Sequence, residues 1–283
     1  MRARVPRVPG VDLKRAGEIA YREAEEEAEG SRQSPPVLLL HGYPETSFMW
    51  RHLLPEVAAS GRRAIAPDLP GYGDSPLTGS GTWESHVDAL ERFRRELRLE
   101  RVALIVHDWG GLIGMRWACD QPGTAAALVV SGTGFFPDGR WHGLAEALRT
   151  EGAGEKVVDA IDRDGFAAML RETGRGFDDD AIAEYWKAYA TADQRRAQLA
   201  LYRSGDFAKL APYEGRLATL GVPTLLLWGE GDTFAPVGGA HRFHREIPGS
   251  KLVLVPGAGH FVFEDDPERC GRELIGFLDE NEI

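Results

Sequence analysis

The sequence predicts an α/β protein: a mostly parallel, doubly wound sheet whose strands alternate with helices, interrupted once by a helical insertion. Three observations predict it. Short apolar runs recur from Val37 onward, each with the length and near-continuous apolarity of a strand buried on both faces. Stretches with apolar residues at helical spacing lie between them. One block, residues 135–214, carries helical patterns and no strand-like run.

Taken in order, residues 17–23 form a short strand. The acidic run from Glu23 to Glu29 follows, and with Gly30, Ser31 and Pro35-Pro36 it reads as a solvated loop. Further strands are expected at 37–40, 63–66, 102–106, 126–130, 224–228 and 251–255, with helices at 84–97, 111–120, 239–247 and 267–278. Within the block 135–214, helical patterns cover 143–150, 179–192 and 194–202. A helical block of that length between two strands of one sheet lies over the carboxyl edge as a lid. The organisation is therefore a core made of residues 1–134 and 215–283, with a helical cap at 135–214. Ligands of such a sheet bind beyond the carboxyl ends of its strands.

Composition narrows the function. At 43% hydrophobic and 27% charged, the 283 residues can fold around a sizeable core. Lys plus Arg total 33 against 44 Asp plus Glu, and the resulting −11 repels phosphate backbones and anionic lipid. Nucleic acid and membrane are excluded as partners on that ground. The basic start, MRARVPRVPG, has no apolar segment behind it, and no apolar run approaches a membrane span. Cys119 and Cys270 form no CxxC pair. Two buried, reduced thiols in a cytoplasmic protein are expected, and oligomeric state is not legible. Asn281 is the only asparagine, so no asparagine can act in the body of the chain.

The chemistry gathers at strand ends. The strand 102–106 runs into Val106-His107-Asp108-Trp109-Gly110-Gly111, which opens a helix. A nucleophile elbow has this form: a reactive side chain on a tight strand-to-helix turn, flanked by small residues and helix-terminal N–H groups. Asp108 stands at the reactive position and Gly110 after it, while Val106 takes the place of the usual preceding glycine. No G-x-S-x-G occurs, so the nucleophile is a carboxylate. The strand 224–228 ends in Gly229-Glu230-Gly231-Asp232, and the strand 251–255 ends in Pro256-Gly257-Ala258-Gly259-His260. Nucleophile, acid and base thus follow one another in chain order.

On these residues, together with His41-Gly42-Tyr43-Pro44-Glu45 and Asp68-Leu69-Pro70-Gly71-Tyr72-Gly73-Asp74-Ser75, the chain resembles the α/β-hydrolase superfamily over essentially its full length. It is most similar to the aspartate-nucleophile branch, the epoxide hydrolases and haloalkane dehalogenases. The resemblance implies an α/β-hydrolase fold with a helical cap, Asp108 as nucleophile, His260 as base, and Asp232, in preference to Glu230, as its partner. It implies an oxyanion hole from the backbone N–H groups of Tyr43 and Trp109. Asp68 and Asp74 shape a turn. No dinucleotide or P-loop fingerprint is present, and His241-x-x-His244 lacks the carboxylate of a metal motif, so neither cofactor nor metal is expected.

An aspartate suits an electrophilic saturated carbon. Ionised near neutrality (pKa about 4), it attacks without a base and forms an alkyl ester, which water activated by His260 then cleaves. The leaving group separates the substrates. Epoxide opening releases an alkoxide that needs an O–H donor, and Tyr202-Arg203 resembles the pair on which epoxide hydrolases carry their ring-opening tyrosine. The early lid, 135–176, offers no second tyrosine, and Tyr185 and Tyr189 read as lid packing. A halide needs N–H donors in a dry pocket. Trp109 offers one, and Thr46-Ser47-x-x-Trp50-Arg51 and His86-Val87 are similar to dehalogenase sequences. Many dehalogenases take their second donor from an asparagine where this chain has Tyr43, so Trp141 or Trp186 would have to serve. Haloacetate dehalogenases carry arginines where this chain has Trp109 and Leu112, which with the acidic balance points to a neutral, apolar small-molecule substrate and water. The expected activity is epoxide hydrolysis. The alternative is haloalkane dehalogenation, and the second alternative a non-catalytic hydrolase-fold binding protein.

Overall fold

A computed structural model describes residues 8–25 and 34–283; residues 1–7, and 26–33 with most of the acidic run, lie outside them. One sheet of eight strands organises the fold: β1 (Asp12–Ala16), β2 (Ile19–Ala24), β3 (Val37–Leu40), β4 (Ala64–Pro67), β5 (Val102–His107), β6 (Ala125–Ser131), β7 (Thr224–Gly229) and β8 (Lys251–Val255). Their spatial order is β1-β2-β4-β3-β5-β6-β7-β8. The first two junctions are antiparallel and the others parallel. Strands β3 to β7 are buried along their whole length, which is why they read as unbroken apolar runs.

Two helices, α1 (Leu53–Ala59) and α2 (Trp83–Glu96), precede β5, and α3 (Trp109–Asp120) leads from β5 to β6. Between β6 and β7 the chain forms only helices: α4 (Gly143–Arg149), α5 (Ala153–Ala160), α6 (Arg163–Thr173), α7 (Asp179–Tyr185), α8 (Ala192–Ser204) and α9 (Arg216–Thr219), with single 3-10 segments at 186–189 and 207–213. Then α10 (Gly238–Glu246) joins β7 to β8, and α11 (Val262–Asp265) and α12 (Pro267–Glu280) close the chain. Side-chain caps set several starts: Thr82 accepts the Ser85 N–H before α2, and Asp162 and Asp178 do the same for α6 and α7.

The structure adds elements the sequence reading lacked. β1 pairs with β2 as a hairpin at the sheet edge, and its DLKRA sequence is exposed except at Ala16, so no apolar pattern marks it. α1 buries Leu53, Leu54, Val57 and Ala58, a helical pattern disguised by Pro55 in its first turn. α5 and α6 are short and glycine-interrupted. Glu23, expected at the start of a solvated loop, is instead buried in β2 and ion-paired with Lys14 and Arg63.

The strand order positions the site. From β3 the chain steps one way to β4, and it then returns to place β5 on the other side of β3. The crevice at such a reversal is where doubly wound sheets bind ligands. The loops opening onto it carry Gly42-Tyr43 after β3 and Asp108 after β5.

Candidate active site

Asp108 joins β5 to α3 at φ 49° and ψ −121°, a backbone conformation that L-residues seldom hold. Close neighbours enforce it. A Cβ on Gly110 would lie 2.4 Å from the Leu40 carbonyl oxygen, and one on Gly42 would lie 2.3 Å from the Asp108 Cβ. Only glycine lets the loop after β3 and the start of α3 approach so nearly. Val106 fits where a glycine is usual because a second small residue, Gly114, faces it: a Cβ there would meet Val106 Cγ1 at 2.8 Å.

The carboxylate this turn presents is held at both oxygens. The Tyr43 N–H donates to Oδ1 at 2.7 Å, and His260 Nε2 lies 3.7 Å from Oδ2. The Trp109 N–H opens α3 beside the carboxylate without capping from it. On its other face His260 Nδ1 meets Asp232 at 2.9 and 3.1 Å. Asp232 is fixed in turn by the N–H groups of Phe234 and Ala235, 2.9 and 2.8 Å from its Oδ1. Glu230, its rival in the sequence, is exposed.

Charge follows from this geometry. Burial acts to raise the Asp108 pKa, but the His260 imidazole, His107 and the Tyr43 N–H outweigh it and hold the carboxyl below its ordinary value. Burial acts to lower the His260 pKa, but Asp232 and Asp108 outweigh it and push it up to about 10. The resting site is an imidazolium between two carboxylates.

Two cavities meet at Asp108. The larger, about 230 Å³, reaches Thr133, Arg140, Trp141 and Phe207; the smaller, about 90 Å³, is walled by Tyr43, Leu144, Met169 and Phe261. Five side chains line both: Asp108, His260, Tyr202, His142 and Phe234. Tyr202, from α8, sets its ring at the edge of both Tyr43 (5.1 Å between centroids) and Trp109 (5.3 Å). Burial and the Asp108 charge hold its phenol well above the ordinary value, opposed by the Trp109 indole N–H. Trp141 stacks on Trp109 at 5.4 Å. The expected residues Asp108, Asp232, His260, Tyr43, Trp109, Tyr202 and Trp141 are thus brought together.

Others are elsewhere. Trp186 packs against Phe166 and Tyr189 and lines neither cavity, which removes it as a leaving-group donor. Tyr185 donates to Glu264, the Tyr189 hydroxyl pairs with that of Tyr43, and Tyr213 donates to Asp120. His244 bonds Ser250. Asp68 accepts the N–H groups of Ser47 and Asp74, 2.8 Å each, as a turn residue does.

Sequence reasoning missed His142, Phe234 and His107. His142 caps α4, its Nδ1 accepting from the Ala145 N–H, so a neutral ring carries its proton on Nε2. His107, next to the elbow, donates from Nε2 to the His260 carbonyl at 2.9 Å and pairs with the buried Glu45 through Nδ1 at 2.8 Å. Its position beside Asp108 was the only sequence signal.

Comparison with known proteins gives the family. The family described as having the α/β hydrolase fold matches residues 35–267. The chain belongs to the α/β hydrolases. A haloalkane dehalogenase of Mycobacterium marinum is 32% identical over 267 residues, covering 88% of this chain and 86% of that protein. One of Psychrobacter cryohalolentis is 28% identical over 273 residues, covering 89% and 86%. The crystal structure of a haloalkane dehalogenase from Bradyrhizobium elkani superposes with a TM-score of 0.82 at 25% identity, covering 96% of this chain and 98% of that one. Within the α/β hydrolases the protein therefore falls in the branch of haloalkane dehalogenases and epoxide hydrolases, and it is a hydrolase. Among the described residues of this α/β hydrolase, no helix is long and apolar enough to cross a membrane.

Proposed function

We propose that this hydrolase cleaves the carbon–halogen bond of neutral alkyl halides through a covalent ester on Asp108. The observation that carries the reading is the four-residue contact: Asp108 with one oxygen on the Tyr43 N–H and the other facing His260, which Asp232 holds from behind. In the first step Asp108 Oδ2 attacks the carbon, the new C–O bond replaces the C–X bond, and halide departs with the bonding pair. In the second, His260 Nε2 takes a proton from water, the hydroxide adds to the Asp108 carbonyl carbon, and the N–H groups of Tyr43 and Trp109 hold the oxyanion. Collapse expels an alkoxide that recovers the proton from His260. The sum is halide, a proton and an alcohol from alkyl halide and water.

One further feature favours a halide over the epoxide expected from the sequence. The relatives described above carry the name haloalkane dehalogenase. Trp109 and Tyr202 line the same cavity as Asp108, so a halide reading is compatible with Tyr202 as the second donor in place of the missing asparagine, although the hydroxyl does not by itself separate the two substrates. Residues 135–214 act as the lid, and the aromatic walls of both cavities suit an apolar substrate. Epoxide opening is the second reading, favoured by the same Tyr202 hydroxyl, which could protonate the departing oxygen.

The test begins with the ester. His260→Gln incubated with a bromoalkane gains the mass of the alkyl group, and wild-type enzyme turning over in heavy-oxygen water acquires the label in Asp108. Unmodified protein in both experiments overturns the covalent mechanism. Halide release without diol formation from the matched epoxide supports the dehalogenase reading, and the reverse supports the epoxide.

A further inference from the structure

The base is held by more than Asp232. The His260 carbonyl accepts from His107, and the N–H of the preceding residue, Gly259, donates at 2.7 Å to Oδ2 of Asp265, at the end of α11. The other oxygen of that carboxylate, Oδ1, accepts the backbone N–H of Arg175 at 2.6 Å. Arg175 lies just after α6, whose Met169 and Thr173 wall the smaller cavity beside His260. The Arg175 guanidinium donates in addition to the Gly257 carbonyl. One carboxylate therefore ties the loop that carries the base to the inserted segment that touches the substrate space. Neither N–H lies in a helix or strand, so Asp265 is what satisfies them.

We propose that Asp265 is a positioning residue for the hydrolytic step, holding His260 in register with the Asp108 ester and with the wall of the smaller cavity. The proposal rests on the reading of His260 as the base of that step. The first step, attack by Asp108, needs no base, so loosening the His260 loop leaves alkylation nearly unchanged and slows hydrolysis. A displacement on the order of 1 Å at a reacting group costs up to about 100-fold.

Asp265→Asn and Asp265→Ala are mixed rapidly with a bromoalkane and quenched for intact-protein mass. Asparagine keeps the shape but can accept only one of the two N–H groups with its oxygen. The expected result is a hydrolysis rate constant lowered roughly tenfold or more, an alkylation rate constant within about twofold of wild type, and ester accumulating in the steady state. Arg175→Ala, which keeps the backbone N–H, has a smaller effect than Asp265→Ala. Equal loss in both steps, or unchanged hydrolysis, overturns the proposal.

A second readout needs no turnover. The imidazole of His260, facing Asp232, Asp108 and the rings of His107 (4.8 Å), Phe234 and Phe261, is titrated by NMR with labelled histidine. In Asp265→Asn it titrates at lower pH than in wild type, because a loosened ring loses part of its contact with the two carboxylates. An identical titration overturns the positioning role. Failure of wild-type enzyme to form any ester would instead overturn the proposed function and leave the NMR result to decide this one.

Discussion

In the resting site His260 lies between Asp232 and Asp108 and carries a proton, a state useless for activating water. In the proposed reaction alkylation changes that. Once Asp108 is an ester its charge is gone, burial has one carboxylate fewer to oppose it, and the imidazole pKa falls toward the range of a general base. The base becomes competent when its substrate, the ester, exists. In the proposed reaction Trp109 and Tyr202 assist the leaving group, and a prediction tests the part assigned to Tyr202. A donor stabilises a departing ion in proportion to the charge it must carry, so removing the Tyr202 hydroxyl should hurt a chloroalkane more than the matching iodoalkane. Tyr202→Phe is expected to slow alkylation by the chloroalkane by about 100-fold, the usual cost of one such donor, and by the iodoalkane much less, both read by rapid-quench mass spectrometry. Equal slowing would mark Tyr202 as cavity wall alone. At this scale Asp108, Asp232 and His260 were legible because each follows a strand in a fixed order. Asp265, His107 and His142 were not, because their roles come from hydrogen bonds and cavity surfaces that join segments far apart in the chain.

The elements meet at glycines, and two of these behave oppositely. Gly110 opens α3 against the carbonyls of Leu40 and His41, which a Cβ would meet at 2.4 and 2.6 Å. Backbone cannot step aside as a side chain can, so Gly110→Ala must push α3 away from β3. Gly143 begins α4 with nothing within 4 Å of a Cβ. There alanine only restricts the unfolded chain and favours the helix. Gly110→Ala should destabilise by roughly 1–3 kcal/mol, and Gly143→Ala should be neutral or stabilising by about 0.5–1 kcal/mol, both measured as shifts in the urea midpoint. Similar shifts for the two would refute the packing account. The same contrast explains which elements the sequence revealed. The strands β3 to β7 are buried on both faces and declare themselves by composition, whereas β1 is an exposed edge and α5 and α6 pack by short faces broken at glycine. Their existence depends on what they lie against.

For the whole molecule, charge held by the fold sets how stability responds to pH. Buried ion pairs such as Arg22–Glu184 and Arg51–Glu264 bind α7 to β2 and α11 to the segment before α1, so partial unfolding strands a charge. On the acid side, carboxyls with depressed pKa values, Asp108 and Glu91 among them, contribute stability that is present above about pH 4 and lost as pH falls further. His41 and His86 add to that loss, because burial lowers their pKa values and unfolding lets them bind protons below about 6.5. The alkaline side belongs first to His260. Its folded pKa of about 10 exceeds the unfolded value near 6.5, so the folded state binds a proton that the unfolded state has released. That stabilisation is complete below about pH 6.5 and disappears as pH rises toward 10. Cys119 and Cys270, pushed up to about 11 and about 12 by burial, join only above the ordinary thiol range. Between about pH 7 and 8.5, wild-type unfolding free energy should therefore fall with rising pH, and His260→Gln should flatten that slope while leaving the acid limb in place. Urea titrations of both proteins across this window decide it. A slope that survives the substitution would mean that His260 is neutral at rest, and that the Asp108–His260–Asp232 contact is not the ion triad described here.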